Sequence, residues 1–248
     1  MIRFTAGGKT VSVHPGSGSG GPVVYLNTFA DEGERVYREL QAESAPDFSL
    51  VTVSGLNWDH DMAPWDIPPV FPGKTACSGG ADEYLELLTE EIMPRAEREI
   101  PGEILWRGIG GYSLAGLFAV YSLYQTEVFS GAASISGSLW FPGFREYVFS
   151  HEMKTAPKHV YFSLGDRESR TGNPCLKAVQ EHTEEIEAFY RRRGINTVFQ
   201  SNPGGHYKNT VKRTAAGILW LLDQQPSNYG KEPDRRQISL WSCVNLLM

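Results

Sequence analysis

The chain is short of cysteine, has no long apolar run and carries no basic excess, and each shortage removes a class of protein. Its three cysteines, Cys77, Cys175 and Cys243, are an odd and widely spaced set without a CxxC pair. They read as reduced thiols rather than a disulfide framework. No stretch approaches the ~18 consecutive apolar residues of a membrane span. The opening MIRFTAGGKTVSVHPG lacks the apolar centre of a secretion leader, so a cytoplasmic location is expected. Lysine and arginine total 23 against 29 aspartates and glutamates, a net charge of -6. That balance gives no reason to expect nucleic acid or an anionic membrane as partner. What is present is ordinary for a globular chain: 248 residues, 41% hydrophobic and 21% charged, enough for one full-cored domain.

Within that length, strand-like and helix-like segments alternate. Thr10–His14, the β-branched run Pro22-Val-Val-Tyr-Leu26 and Phe48–Ser54 read as strands, with helical character at Glu34–Glu43. Residues 55–80 are proline- and glycine-rich and irregular, a loop-rich insertion, and a helix is expected over Ala81–Glu99. Strands then follow at Glu103–Ile109, Phe129–Ile135, Lys158–Leu164 and Asn196–Gln200. Helices alternate with them at Leu114–Tyr124, Phe144–His151, Leu176–Arg193 and Lys208–Gln224. Such alternation implies βαβ crossovers and a mostly parallel sheet. The expectation is one α/β domain over 1–225 and a C-terminal extension of unclear role at 226–248.

Between the strand ending near Ile109 and the helix starting near Leu114 stands Gly111-Tyr112-Ser113-Leu114-Ala115, followed by Gly116. This is a G-x-S-x-G-type elbow with alanine in the last place. A sharp strand-to-helix turn lifts the serine Oγ above the sheet edge, and small residues two before and two after it let the two backbones approach. The helix N-terminus adds free N–H groups and a favourable dipole for a developing oxyanion. The plainer role for Ser113 is a helix N-cap. A phosphate loop is disfavoured: no lysine follows the glycines, and Ser113 occupies the slot where G-x-G-x-x-G would close.

An elbow serine needs a base that takes its proton near neutral pH, and histidine suits. His14, His60 and His151 stand far from a plausible site, and His159 and His182 read as solvated. His206, in Pro203-Gly-Gly-His-Tyr207 between the last strand and the last helix, is the candidate. The acid belongs on the loop after Lys158–Leu164, Gly165-Asp-Arg-Glu-Ser-Arg170, where Asp166 and Glu168 are both open. Arg167 and Arg170 read as surface ion-pair partners. Asn57-Trp-Asp-His-Asp61 has the look of a metal cluster but reads as a solvated group, and no metal or other cofactor is expected.

With these residues placed, the chain resembles the α/β-hydrolase esterases related to enterochelin (ferric siderophore) esterases and esterase D, over about residues 22–224. The resemblance is carried by Pro22–Leu26, Trp58, Pro64-Trp65, Gly111-Tyr-Ser-Leu-Ala-Gly-Leu-Phe-Ala119, Ser134-Ile-Ser-Gly-Ser-Leu-Trp140, Tyr161-Phe-Ser-Leu-Gly-Asp-Arg-Glu168 and Gly204-Gly-His206. It implies the α/β-hydrolase fold and Glu168 as the acid, with Asp166 the alternative. It also implies oxyanion donors from the Leu114 N–H and from the loop after Pro22–Leu26, at Phe29 or Ala30. Trp58, Trp65, Phe71 and Trp140 are aromatic residues in loop contexts, candidates for a substrate wall. The implied activity is hydrolysis of a small carboxylic ester, of siderophore or short-chain acyl type. An acyltransferase using the same residues and an inactive binding module are the alternatives.

Overall fold

The computed structural model describes residues 1–18, 20–70, 73 and 75–224. The expected extension at 226–248 and the aromatic candidate Phe71 lie outside the described residues.

The strands are β1 (Ile2–Ala6), β2 (Lys9–His14), β3 (Gly21–Asn27), β4 (Ser49–Ser54), the short pair β5 (Asp66–Ile67) and β6 (Cys77–Ser78), β7 (Ile104–Tyr112), β8 (Gly131–Ile135), β9 (His159–Gly165) and β10 (Asn196–Asn202). The helices are α1 (Glu32–Ala42), α2 (Trp58–Asp61), α3 (Ala81–Leu87), α4 (Met93–Glu97), α5 (Leu114–Gln125), α6 (Phe144–Ser150), α7 (Pro174–Lys177), α8 (Val179–Arg192) and α9 (Thr210–Asp223). Eight strands form one sheet in the order β1-β2-β4-β3-β7-β8-β9-β10. From β4 to β10 every pairing is parallel, whereas β1–β2 and β2–β4 are antiparallel. Parallel strands are covered on both faces, so they read as runs of Val, Ile, Leu and Ala. One core lies under α1 and α9, and the other around α3 to α6 and α8. The fold is α/β with helices on both faces of a largely parallel sheet, as expected from the alternation.

Several departures have physical causes. The hairpin of β1 onto β2 adds a strand that the pattern reading lacks; its turn is Gly7-Gly8, both with positive φ (52° and 74°), a conformation glycine adopts without strain. The helix expected over Ala81–Glu99 is interrupted by a π-type turn at Leu88–Ile92 before α4. Pro94, in the first turn of α4, brings no N–H to continue the α-helical ladder. Helix α5 is buried along its whole face from Leu114 to Tyr124, which its nearly continuous apolar sequence requires. The insertion at 55–80 is less irregular than expected, holding α2 and the β5–β6 pair.

The Asn57–Asp61 group is not solvated throughout. Asp61 is buried, pairs with the Lys9 ammonium of β2 and accepts the Asn57 N–H at 2.7 Å, so it anchors the insertion to the sheet. No helix among the described residues is long and apolar enough to cross a membrane.

Candidate active site

The elbow follows β7, and its geometry explains its small residues. A Cβ on Gly111 would lie 2.4 Å from the Ala115 Cβ, and one on Gly116 would lie 3.0 Å from the Gly111 carbonyl oxygen. The alanine in the last place of the pattern fits because Gly111 has no side chain. Ser113 sits at φ 62°, ψ -122°, a strained conformation for a residue with a side chain. Such strain costs roughly 1–3 kcal/mol and survives only where the surroundings over-determine it. Here the Ser113 N–H donates to Ile135 O at 3.0 Å. Its carbonyl accepts from the N–H groups of Gly116 (3.0 Å), Leu117 (3.1 Å) and Ser138 (3.0 Å). Ser113 occupies the N-cap position of α5, yet its side chain caps nothing. The Oγ instead faces His206 Nε2 at 3.0 Å, with the Ser138 Oγ 3.3 Å away.

His206 rides on the loop between β10 and α9. Its Nδ1 is 2.7 Å from Glu168 Oε2, so serine, imidazole and carboxylate form one chain of contacts. Glu168 stands on the loop after β9, its side chain 5% exposed. Burial would raise its pKa. The hydrogen bond and charge of His206, the Gly165 N–H (2.5 Å) and the Ser136 hydroxyl (2.8 Å) outweigh burial and hold the carboxyl below the usual range. Asp166, the alternative acid, is spent elsewhere: it accepts the Gly204 N–H at 2.7 Å and ties the acid loop to the histidine loop. The two loops pass so closely that a Cβ on Gly165 would lie 2.2 Å from the Gly204 carbonyl oxygen.

The histidines and arginines set aside in the sequence are placed differently from one another. His159 and His182 are half-buried rather than solvated: His159 packs against Trp220, and His182 Nδ1 lies 3.2 Å from the Leu139 carbonyl. His14 is buried beside Tyr37 and Glu34, and burial pushes its pKa down. Arg167 is an exposed neighbour of Asp166 at 3.9 Å.

Four residues of the site were given no role from the sequence. Arg213 of α9 is 4% exposed, and its Nη1 donates to Glu168 Oε1 (3.2 Å), Tyr112 Oη (3.3 Å) and Ser136 Oγ (3.3 Å). Its Nη2 donates to the Pro203 carbonyl at 3.1 Å. Tyr112 in turn donates its hydroxyl to the His206 carbonyl at 2.5 Å. Arg213 and Tyr112 thus link Glu168 and the loop that carries His206, Ser136 supports Glu168, and Ser138 borders Ser113. Arg213 stands beside Lys212 in the polar first turn of α9, ahead of the apolar run 215–222, and no local signal marks it rather than Lys212 as the buried cation.

Above Ser113 opens a cavity of about 710 Å³, reached by Trp58 of α2, Trp140, Phe29 and Tyr207. Phe29 meets Trp58 edge to face, with ring centres 5.2 Å apart. Trp65 is not part of this wall, in contrast to the sequence expectation. Its indole N–H donates to Pro142 O at 3.0 Å, and its ring packs on Phe141, Phe144 and Tyr147. The satisfied N–H and the aromatic neighbours hold it in the core face instead. Leu114 and Phe29 both border the cavity. The Leu114 N–H, first in α5, has no acceptor four residues back. In the loop after β3, the Thr28 N–H donates to Val53 O (2.9 Å) and the Ala30 N–H to Glu32 Oε2 (2.9 Å). The Phe29 N–H has no such partner among the described residues. Cys77 also borders the cavity, but burial and then the Asp59 charge push its thiol up to about 11, which keeps it protonated and unreactive near neutral pH. No cluster of three or more His, Cys, Asp or Glu suited to a metal ion occurs among the described residues.

Comparison with known proteins places this geometry in context. The model of the Esterase family, described as "Putative esterase", matches residues 10–213. YbbA of Bacillus subtilis (strain 168), an uncharacterized protein, is 23% identical over 84% of this chain and 89% of its own length. Among solved structures, an IroE-like serine hydrolase from Shewanella oneidensis superposes with a TM-score of 0.71 at 18% identity, covering 87% of this chain and 76% of that one. The siderophore hydrolase EstB from Aspergillus nidulans gives 0.63 at 17%, covering 91% and 94%. At these identities the structural likenesses carry the fold.

Proposed function

We propose that this chain, which belongs to the Esterase family, is a serine hydrolase of carboxylic esters that works through Ser113, His206 and Glu168. The observation that supports this assignment is the unbroken contact chain from Ser113 Oγ to His206 Nε2 (3.0 Å) and from His206 Nδ1 to Glu168 Oε2 (2.7 Å). In this reading Ser113 Oγ attacks the ester carbonyl carbon while His206 Nε2 takes the hydroxyl proton. The carbonyl oxygen becomes an oxyanion between the Leu114 and Phe29 N–H groups, where each donor is worth roughly 3–4 kcal/mol. His206 then gives its proton to the leaving alcohol, and an acyl ester on Ser113 remains. Water attacks this ester, His206 takes its proton, and the acid leaves as Ser113 recovers its own. Glu168 accepts the Nδ1–H throughout, holding the tautomer that presents Nε2 to the serine. Arg213, Ser136 and the Gly165 N–H keep the acid ionised and in place.

Turnover of short-chain p-nitrophenyl esters by Ser113→Ala and His206→Ala tests the assignment. Each variant is expected to lose at least about ten-thousandfold in kcat, and the double variant little more than either, because the residues act as a unit. A Ser113→Ala protein with wild-type turnover would remove the serine from this role.

A further inference from the structure

Resting on the reading of Ser113 as nucleophile, we infer that the Ser138 hydroxyl is a further hydrogen-bond donor of the reaction. It serves Ser113 Oγ rather than the carbonyl oxygen, and it acts mainly when the acyl group leaves. Ser138 follows β8, is buried, borders the cavity and has its Oγ 3.3 Å from Ser113 Oγ. That contact is the one side-chain hydrogen bond of Ser138 among the described residues. Its backbone is committed separately: the Ser138 N–H donates to Ser113 O at 3.0 Å, and its carbonyl accepts the Phe141 N–H at 3.0 Å. Those bonds tie the two loops, so the tie does not depend on the hydroxyl.

The protons available fix the direction of the contact. The ionised Glu168 carboxylate only accepts, so the proton in its 2.7 Å contact belongs to His206 Nδ1. A neutral imidazole then has Nε2 as its acceptor, and the hydroxyl that reaches it among the described residues is that of Ser113, at 3.0 Å. The single Ser113 hydroxyl proton is spent there, so the proton between the two serines is that of Ser138. Ser138 therefore donates, and Ser113 Oγ accepts.

The sheet order keeps this donor apart from the other two. The loop after β3 carries Phe29 and lies on one side of β7, whereas β8, with Ser138 after it, lies on the other. At 3.3 Å the contact is longer than a strong O–H···O bond, so it is weak at rest. It strengthens as Ser113 Oγ gains negative charge, because bonds to a charged oxygen are shorter and stronger. A bond that is weak in the ground state and strong in the transition state lowers the barrier. The gain is largest from the acyl-enzyme, where Ser113 Oγ is an ester oxygen whose lone pair is drawn into the carbonyl and accepts poorly. When the second tetrahedral intermediate collapses, the bond from the acyl carbon to Ser113 Oγ breaks and its electron pair returns to Oγ. His206 Nε2–H supplies the proton, and Ser138 donates to that oxygen without giving up its own. In acylation the free hydroxyl of Ser113 already accepts from Ser138, so less is gained.

Stopped-flow turnover of p-nitrophenyl acetate by the wild type, Ser138→Ala and Ser138→Thr reads this out, with acetyl on Ser113 followed by peptide mass. In Ser138→Ala, decay of the acetyl-enzyme is expected to slow by roughly tenfold to a hundredfold, the range of one hydrogen bond to a charged oxygen. Release of the first equivalent of p-nitrophenolate is expected to change far less, so a burst precedes slow turnover. In that variant kcat and KM fall together while kcat/KM is nearly kept. A purely structural loss would lower acylation and kcat/KM as well. Ser138→Thr keeps the hydroxyl and is expected to recover most of the decay rate. Acetyl-enzyme decay at the wild-type rate in Ser138→Ala, or equal losses in both steps, overturns the inference while leaving the esterase assignment intact. A wild type that never carries acetyl on Ser113 defeats the nucleophile reading, and the inference falls with it.

Discussion

Two Glu–Arg–Tyr clusters hang on the same strand. At the start of β7, Arg107 donates to Glu97 through Nε (2.6 Å) and Nη2 (2.8 Å), and the Tyr25 hydroxyl adds a third bond at 2.7 Å. At its end, roughly 16 Å along the strand, Tyr112 and Arg213 meet around Glu168. In both clusters burial would raise the glutamate pKa, and in both the partners overcome it and leave the carboxyl below its usual range. The electrostatic design is the same, and the consequence is not. Glu97 gives both oxygens to Arg107 and Tyr25, at the edge of the sheet away from Ser113. Glu168 gives one oxygen to Arg213, Ser136 and Gly165 and keeps the other for His206. The position that matters is the C-terminal edge of the parallel strands, where the loops after β3, β7, β8, β9 and β10 converge. What separates the two buried pairs is that Glu168, in the proposed site, keeps one oxygen for a histidine, whereas Glu97 keeps none.

The sharpest way to break this comparison is to neutralise each glutamate. Glu168→Gln is expected to lower turnover by about ten-thousandfold, since the imidazole loses its orienting charge. Glu97→Gln is expected to keep turnover within about twofold and to lose about 1–3 kcal/mol of stability, read as a lowered urea midpoint. Comparable losses of activity in both would mean that the clusters differ less than their places suggest.

Next in size is the arginine pair. Arg213→Met should cost roughly a hundredfold in kcat with a smaller change in KM, because the acid and the histidine loop lose their common tie. It should also lose about 3–5 kcal/mol of stability through an unpaired buried carboxylate. The Arg107 side chain is a third exposed, so Arg107→Met should lose less stability and leave kcat in place.

The smallest effect is acidic. Both glutamates have depressed pKa values in the folded chain, so their contribution to stability is complete above the unfolded value near 4.3 and fades as pH falls through the lower folded values. The urea midpoint of the wild type should decline below about pH 4, and Glu97→Gln should show a shallower decline there. An unchanged slope in the variant would remove Glu97 from that role.

The elements were legible wherever the signal was local. Gly111, Ser113 and Ala115 announce an elbow through their sizes, and Gly204-Gly205-His206 announces a loop that presents a side chain. The π-type interruption before α4 carried a local signal as well, in Pro94. Trp58 and Trp65 show where local signals stop. They stand seven residues apart in the same insertion, one facing the cavity and the other packed on Phe141 and Tyr147, and no periodicity separates them. Arg213 was illegible for a related reason, since its partners Glu168 and Tyr112 lie 45 and 101 positions away.

The sequence by itself determined the α/β class, the order of the proposed serine, acid and histidine along the chain, and the small residues that allow a sharp turn before α5. These follow from patterns spanning a few residues, where backbone sterics and side-chain size leave little choice. Only the tertiary structure decided between Glu168 and Asp166 as the carboxylate beside His206, turned Arg213 inward and brought the Ser138 hydroxyl up to Ser113 Oγ. Those outcomes depend on which loops meet at one edge of the sheet, and burial and pairing there are properties of the assembled chain rather than of any segment of it.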